Sequence, residues 1–172
     1  KMVIGFGYKP CAWGALSHAS GNTPVIASRD ITMDIWNNRY YHPEAAFKDG
    51  YTVATIPDKI GYLVPFGGYY NDYFDCKKIY NTWDPTVQWR YKIPEKYFSQ
   101  LAGGKFALWN DLCGKKKDGT PYTEADNWDR IHPALQTFSQ KMWRGGEGNP
   151  TWEDFARIAD SLNEPKGVKS TH

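Results

Sequence analysis

One short segment, residues 104–111, constrains the fold more than any other part of this chain. It follows Gly103 and is a nearly uninterrupted apolar run that ends in Trp109, Asn110 and Asp111. An apolar run of this length between turn signals predicts a β-strand buried on both faces. Polar groups just past the carboxyl end of such a strand lie where α/β proteins place ligand sites. Taken alone, the segment is better explained as an ordinary core strand followed by a loop.

Similar apolar runs recur along the chain and alternate with helical patterns. The predicted strands are residues 2–6, 31–36, 51–56 and 104–111. The predicted helices are residues 42–50, 94–102 and 125–143, and one that begins at residue 151. The helix at 125–143 has the clearest apolar period of three to four residues. Alternating strands and helices predict an α/β fold built from parallel β/α units.

Capping residues mark several of the predicted helix ends. His42 is interpreted as a helix-start residue and Gly50 as the stop of the same helix. The Gly103-Gly104 pair is predicted to end the helix at 94–102. Asp126 can cap the start of the long helix, whereas Pro133 should kink it or mark a second start.

Three features within these elements leave alternatives open. Asp34 lies inside a strand and either points into a barrel interior or pairs with Arg29 or Arg39. Trp13 is either a ligand wall or a core residue, and core is the simpler interpretation. The aromatic connection over residues 66–89 is too long for simple wiring, which favours a functional lid or wall.

Composition excludes several classes of function. The net charge of +2 provides no strong field to attract nucleic acid or an anionic membrane. No apolar run approaches the roughly 20 residues that a membrane span needs. The three cysteines are far apart and show no metal-ligand spacing, so we expect neither a metal nor a cofactor. The 28 aromatic residues (8 Trp, 12 Tyr, 8 Phe) fit either a carbohydrate-binding surface or a large core.

In order and spacing, these segments resemble the catalytic barrel of the family-20 glycoside hydrolases, the β-N-acetylhexosaminidases. Residues 1–6, 33–37, 50–63 and 106–111 resemble the fifth to eighth strands, and residues 129–143 resemble the last barrel helix. The resemblance implies that residues 1–146 form the second half (strands 5–8) of a TIM (β/α)8 barrel. Residues 147–172 would then be an extra C-terminal helix and a loose tail.

The resemblance also assigns roles to five residues. Trp36 and Trp109 match tryptophans that wall the N-acetyl group and stack on the sugar ring. Tyr62 matches a catalytic tyrosine whose hydroxyl binds the acetamido oxygen. Asp111 matches an acidic residue that accepts hydrogen bonds from sugar hydroxyls, and Phe6 stands where the family has a strand-five tryptophan.

The family's chemistry implies what this chain does and what it lacks. Catalysis is substrate-assisted and retaining. It needs an Asp-Glu pair from the fourth strand, in a His-x-Gly-Gly-Asp-Glu type motif that these residues do not contain. We therefore expect a chain that supplies substrate-binding residues to an enzyme removing β-linked N-acetylhexosamine from glycans, and that is inactive alone. A non-catalytic carbohydrate-binding or scaffold domain is the alternative.

Departures from the family pattern and the half-barrel itself suggest further expectations. Asp111 in place of Glu, and Val64 in place of Asp, lean toward a subgroup acting on complex-glycan termini, with linkage and exo or endo action open. Four strands leave two open edges, so we expect association with a missing N-terminal half or self-association as a dimer. The start at Lys1 suggests a fragment or processed product. By resemblance, the protein is secreted, periplasmic or at the cell surface.

Overall fold

Eight short strands and seven helical segments make up the described chain. The computed structural model describes residues 2–14, 28–114 and 116–162. The strands are β1 (Cys11–Trp13), β2 (Thr32–Ile35), β3 (Thr52–Thr55), β4 (Tyr62–Leu63), β5 (Val87–Gln88), β6 (Tyr91–Lys92), β7 (Leu101–Gly104) and β8 (Ala107–Leu108). The helices are α1 (Met2–Gly5), α2 (Pro43–Lys48), α3 (Asp58–Gly61), α4 (Cys76–Thr82), a 3-10 helix (Glu95–Gln100), α5 (Glu124–Arg144) and α6 (Trp152–Ser161).

Parallel pairing organises the centre of the molecule. The main sheet has the order β1-β2-β3-β7, and every neighbouring pair in it is parallel. Strands β4 and β8 form a second parallel pair, while β5 and β6 form an antiparallel hairpin. The predicted α/β class with parallel β/α units is confirmed, and the arrangement is consistent with part of a TIM barrel. Among the residues described, the sheet does not close into a barrel.

The predicted first strand, residues 2–6, is wrong. Residues 2–5 form α1, and every side chain from Met2 to Phe6 is exposed. Gly7 follows in the left-handed region at φ +81°, which turns the chain away from an extended path. An apolar run becomes a buried strand only when neighbouring strands cover it. In the described sheet the edge position belongs to β1, whose Cys11 is paired with Thr32 of β2.

The predicted strand at residues 104–111 is also placed differently. Pairing with β3 begins at Leu101, so Gly103 and Gly104 are strand residues and do not end the preceding helix. The predicted preceding helix is present as the 3-10 helix. Lys105 and Phe106 then connect β7, which pairs with β3, to β8, which pairs with β4. Glycine is required at position 104 because an added Cβ would lie 2.7 Å from the ring of Trp83.

The predicted ends of α2 and the predicted start of α5 agree with the structure. His42 is the N-cap of α2, where its Nδ1 accepts a hydrogen bond from the Glu44 N–H at 3.3 Å, and Gly50 has a φ of +85° just past the helix. In α5, Thr123 and Asp126 form a capping box. Of the two alternatives predicted for Pro133, a second helix start is wrong, because α5 is one continuous element from Glu124 to Arg144.

Two apolar clusters support the strands. One lies around β2, β3 and α2 and includes Met33, Phe47 and Val53. The other is centred on Phe138 of α5, which is fully buried and contacts the rings of Trp83 and Phe106 at centroid distances of 5.1 and 4.9 Å. The second cluster therefore fixes the long helix against β4 and β8.

Several other observations limit the chemistry of the described residues. None of the helices in these ranges is long and apolar enough to cross a membrane. The described ranges contain no cluster of three His, Cys, Asp or Glu side chains that could bind a metal ion. Cys11, Cys76 and Cys113 are all free thiols.

We expect Gly104→Ala to lower the free energy of unfolding by about 1–3 kcal/mol, because its methyl group would overlap the buried Trp83 ring. The matched control is Gly114→Ala, since nothing lies within 4 Å of a Cβ built there. The control should change stability by less than about 0.5 kcal/mol. Urea unfolding followed by tryptophan fluorescence measures both, and equal effects of the two substitutions would contradict this account of Gly104.

Candidate functional site

A cavity of about 440 Å³ opens at the carboxyl ends of the parallel strands. Trp13 is the last residue of β1, and Trp36 and Trp109 directly follow β2 and β8. Parallel strands bring their carboxyl ends to the same edge, so these side chains converge. The cavity is lined by Trp13, Trp36, Tyr62, Val64, Gly67, Tyr70, Trp109, Asp111 and Leu112.

Four of the five residues singled out from the sequence lie together in this lining. They are Trp36, Tyr62, Trp109 and Asp111. Phe6 is not brought to the cavity, because it follows the exposed helix α1 and is itself 75% exposed. Convergence does not test the ligand, so the binding roles of these residues stay predictions.

Trp13 takes the alternative that the sequence favoured less. The sequence allows a ligand wall or a core residue, with core as the simpler interpretation, yet Trp13 is 38% exposed and lines the cavity. Its strand is only three residues long, which is too short for a period to be visible. The available signal was local: like Trp36 and Trp109, Trp13 ends a short apolar stretch and is followed at once by a non-apolar residue, Gly14.

Tyr62 is the centre of the aromatic cluster. Its ring centroid lies 5.9–6.0 Å from those of Trp13, Trp36, Tyr70 and Trp109, in edge, stacked and tilted arrangements. Aromatic contacts of this kind are each worth about 0.5–1.5 kcal/mol beyond the area they bury. The rings of the cluster therefore fix one another in position, and together they line a largely apolar cavity with flat walls.

The hydroxyl of Tyr62 remains protonated far above neutral pH. Burial raises the pKa of Tyr62 well above its ordinary value, and the nearby Tyr70, Asp58 and Asp34 raise it further. Only 6% of the residue is exposed. A phenol in this state is a hydrogen-bond donor and not a base.

Trp109 and Asp111 offer polar groups that the described residues leave unused. The backbone N–H of Trp109 donates to the Leu63 carbonyl at 2.9 Å, which fixes the residue beside β4. Its indole Nε1 is buried and has no hydrogen-bond partner among the described residues. The exposed carboxylate of Asp111 likewise makes no hydrogen bond or ion pair within the described ranges. The residues that line the cavity thus combine apolar walls with one donor and one acceptor that have no partner among the described residues.

A partly buried ion pair connects the strands that carry the aromatic walls. Lys105 Nζ lies 2.8 Å from both carboxylate oxygens of Asp34, and Asp34 is 6% exposed. Burial lowers the pKa of Lys105, but the hydrogen bond to Asp34 and the charge of Asp34, with help from Cys11, outweigh it and leave the pKa raised. The ion-pair partner of Asp34 is therefore Lys105, and not Arg29 or Arg39 as the sequence suggested. The pair joins β2 to the β7–β8 connection. Its carboxylate, on Asp34, is two residues before Trp36.

Arg130 of α5 joins two loops that flank the cavity. Its guanidinium carbon lies 4.6 Å from the Tyr73 ring centroid and 5.0 Å from that of Tyr122. Tyr73 follows the stretch that contributes Gly67 and Tyr70, and Tyr122 ends the loop after β8. The residue is 7% exposed, and cation–π contacts strengthen when they are desolvated. The first part of the long predicted connection therefore does form a wall.

The rest of that connection is more regular than predicted. It contains α4 and the start of the β5–β6 hairpin. The N-cap of α4 is Asp75, whose carboxylate accepts a hydrogen bond from the Lys78 N–H at 3.0 Å. An aspartate before this seven-residue helix was the signal that could have revealed it.

Comparison with known proteins gives a fold and no more. No protein-family model and no curated protein sequence matches the chain. Among solved structures, the fold is similar to a GH20 exo-β-N-acetylglucosaminidase from Vibrio harveyi, in complex with N-acetylglucosamine, with a TM-score of 0.58 and 17% identity. The similarity covers 91% of this chain and 23% of that one, so the chain spans about a quarter of that enzyme's length.

The chain therefore has a fold similar to part of a family-20 glycoside hydrolase structure. Its parallel sheet is consistent with a segment of a (β/α)8 barrel. The assignment to strands 5–8 and the boundary between residues 146 and 147 stay predictions.

We expect Lys105→Met to lower the free energy of unfolding at pH 7 by about 1–3 kcal/mol, because it leaves the Asp34 carboxylate buried without its cation. The loss is smaller than for a fully buried pair, since 40% of the Lys105 side chain is exposed. The matched control is Lys48→Met, which breaks a surface pair with Glu44 and should cost less than about 0.5 kcal/mol.

The pH dependence of the same pair has a definite sign. The pKa of Lys105 is raised by folding, so its contribution is complete below the unfolded lysine pKa of about 10.4 and is lost as pH rises through the folded value. Urea unfolding of the wild type and Lys105→Met should therefore converge at high pH. A gap of the same size at pH 7 and above the lysine pKa would rule out the ion pair as its cause.

Proposed function

We propose that this chain forms part of the sugar-binding pocket of a glycoside hydrolase that removes β-linked N-acetylhexosamine from glycans. The observation that carries the proposal is the convergence of Trp13, Trp36, Tyr62, Trp109 and Asp111 in one cavity. A pyranose has an apolar C–H face and a rim of hydroxyls, and an acetamido methyl group adds a second apolar feature. Flat aromatic walls with an acceptor at the rim complement such a ligand.

The proposed mechanism is substrate-assisted, as in the family that the sequence resembles. The acetamido oxygen of the substrate attacks the anomeric carbon, and the glycosidic oxygen leaves with a proton supplied by an acid. Tyr62, held protonated by burial, donates a hydrogen bond to the acetamido group while positive charge spreads over the developing ring. The aromatic walls exclude water from this group, and Asp111 accepts hydrogen bonds from hydroxyls of the sugar.

The Asp-Glu pair that would supply the proton in this scheme is not present in this chain. The 172 residues contain no Asp-Glu dipeptide, so the pair that would protonate the leaving group and orient the acetamide must come from elsewhere. In this proposal the chain binds and orients the sugar, and it does not hydrolyse it alone. Association with a barrel-completing partner and an exported location belong to the same proposal.

The same observation favours a second candidate, a non-catalytic carbohydrate-binding domain. Such a domain needs the aromatic cavity but has no use for a tyrosine that stabilises a cyclised acetamido group. The two candidates therefore differ in whether the cavity prefers the ground state of the sugar or the bicyclic intermediate.

We expect the chain to bind N-acetylglucosamine in preference to glucose, which lacks the acetamido group. Trp109→Ala should weaken this binding at least about tenfold, equivalent to ~1.4 kcal/mol, because it removes one wall of the cavity. The matched control is Trp143→Ala, since Trp143 is 90% exposed on α5 and outside the cavity lining. NMR titration or calorimetry measures the affinities. Equal binding of both sugars, or an equal effect of both substitutions, would refute a sugar site here.

A thiazoline analogue of N-acetylglucosamine distinguishes an enzyme pocket from a binding module. Its acetamido group is already closed onto the anomeric carbon, so a pocket built for substrate-assisted hydrolysis should bind it at least about tenfold tighter than the free sugar. Tyr62→Phe should remove this preference, because only the phenol donor is lost. The matched control Tyr40→Phe keeps the ring that stacks on Trp36 and should retain it. A wild-type chain without the preference would favour the non-catalytic candidate.

A further inference from the structure

Arg130 lies at the point where two loops that frame the aromatic cavity come together. It belongs to α5 and does not itself line the cavity. The first loop follows β4 and supplies Gly67 and Tyr70 to the lining, and the second follows β8 and supplies Asp111 and Leu112. The shape of the cavity therefore depends on how these two loops are held relative to each other.

A short chain of contacts leads from Arg130 into the first loop. Its Nη2 lies 3.9 Å from Asp72 Oδ1, and the same oxygen accepts a hydrogen bond from the Phe66 N–H at 3.3 Å. Phe66 has a φ of +66°, a left-handed value that a bulky residue keeps only when its surroundings hold it there. Gly67 follows, and its N–H donates to the Val64 carbonyl at 2.8 Å. The carboxylate of Asp72 thus links Arg130 to the turn that presents Gly67 to the cavity.

A second chain of contacts leads from Arg130 into the loop after β8. Tyr122, whose ring centroid lies 5.0 Å from the guanidinium carbon, donates from its backbone N–H to the Gly114 carbonyl at 3.1 Å. Its hydroxyl donates to Asn127 Oδ1 at 2.7 Å, which ties it to the first turn of α5. Gly114 is two residues after Leu112 of the cavity lining. Tyr122 therefore links Arg130 to the wall that the second loop forms.

Stability alone gives no reason for an arginine at this position. Arg130 is 7% exposed, and its Nε has no hydrogen-bond partner among the described residues. A buried donor without a partner costs free energy, whereas an apolar side chain of similar length carries no such cost. The ion pair returns little, because it is 3.9 Å long and the Asp72 side chain is 57% exposed. A planar cation that contacts two aromatic faces and a carboxylate does, however, fix the elements that carry them relative to one another.

We propose that Arg130 is a positioning residue of the aromatic cavity. Through Asp72 and Tyr122 it holds the two loops at a fixed separation. The positions of Gly67 and Leu112, and with them the shape of the cavity, follow from this separation. The proposal rests on the function proposed above for the ligand, and it extends that function by assigning part of the affinity to a residue that does not contact the sugar.

The test uses Arg130→Met in the whole 172-residue chain. The loops lose their common partner, so we expect the affinity for N-acetylglucosamine to fall at least about fivefold. The NMR signals of the Gly67 and Leu112 backbone amides in the ligand-free chain should shift as well. The midpoint of urea unfolding should stay nearly unchanged, because the Asp72 carboxylate that remains is exposed to solvent. The matched control is Arg157→Met, an exposed arginine of α6 outside the cavity, which should change none of the three.

Arg130→Lys is a second variant that keeps a cation but loses the planar fork. Its ammonium can contact one ring face, but it cannot contact both rings and the carboxylate together. This variant should fold and retain only part of the affinity for N-acetylglucosamine. If Arg130→Met fails to fold, a partial loss in Arg130→Lys supports the proposal, and full affinity overturns it.

A purely structural role of Arg130 and a failure of the proposed function give different results. If Arg130→Met lowers stability while the folded chain keeps its affinity and its amide signals, the residue only supports the fold and the proposal is refuted. If the wild-type chain binds no N-acetylglucosamine, the proposed function falls, and the amide signals still decide the role of Arg130. Shifts at both Gly67 and Leu112 would then support that role, and unchanged signals would refute it.

Discussion

The parallel register between β1, β2 and β3 is the constraint on which the rest of the structure depends. Trp13 is paired with Asp34, and Asp34 is two residues before Trp36, so register decides which side chains meet at the carboxyl edge. A slip of one residue would turn each strand's side chains to the opposite face. The cavity would then lose its walls, even with every strand still present.

Electrostatics and aromatic packing maintain this arrangement at two places. The Asp34–Lys105 pair joins β2 to the connection between β7 and β8. The guanidinium of Arg130 lies against two tyrosine rings and connects the loops after β4 and β8. Lys105 is far along the chain from Asp34, and Arg130 is far from Tyr73, although Tyr122 is only eight residues before Arg130. Loop geometry at the site therefore depends on contacts that only the folded chain makes.

Two neighbouring cavities of different character lie at this edge of the sheet. The first is largely apolar and is lined by aromatic rings around Tyr62. The second is lined by amides, a carboxylate and two cationic side chains beside Trp89. Trp36 separates and lines both, so its position after β2 influences either site.

Sequence alone determined the elements with a strong internal signal. Strands β2 and β3, the caps of α2 and the period of α5 were predictable because hydrophobic spacing and capping act over a few neighbouring residues. The grouping of Trp36, Tyr62, Trp109 and Asp111 came from resemblance and from the position of each residue near a strand end. Tertiary structure alone decided that residues 2–5 are an exposed helix, that Trp13 is a cavity wall and not a core residue, and that Lys105 is the partner of Asp34. These depend on strand pairing and burial between residues distant in sequence, and no local pattern encodes which neighbour will cover a short apolar run.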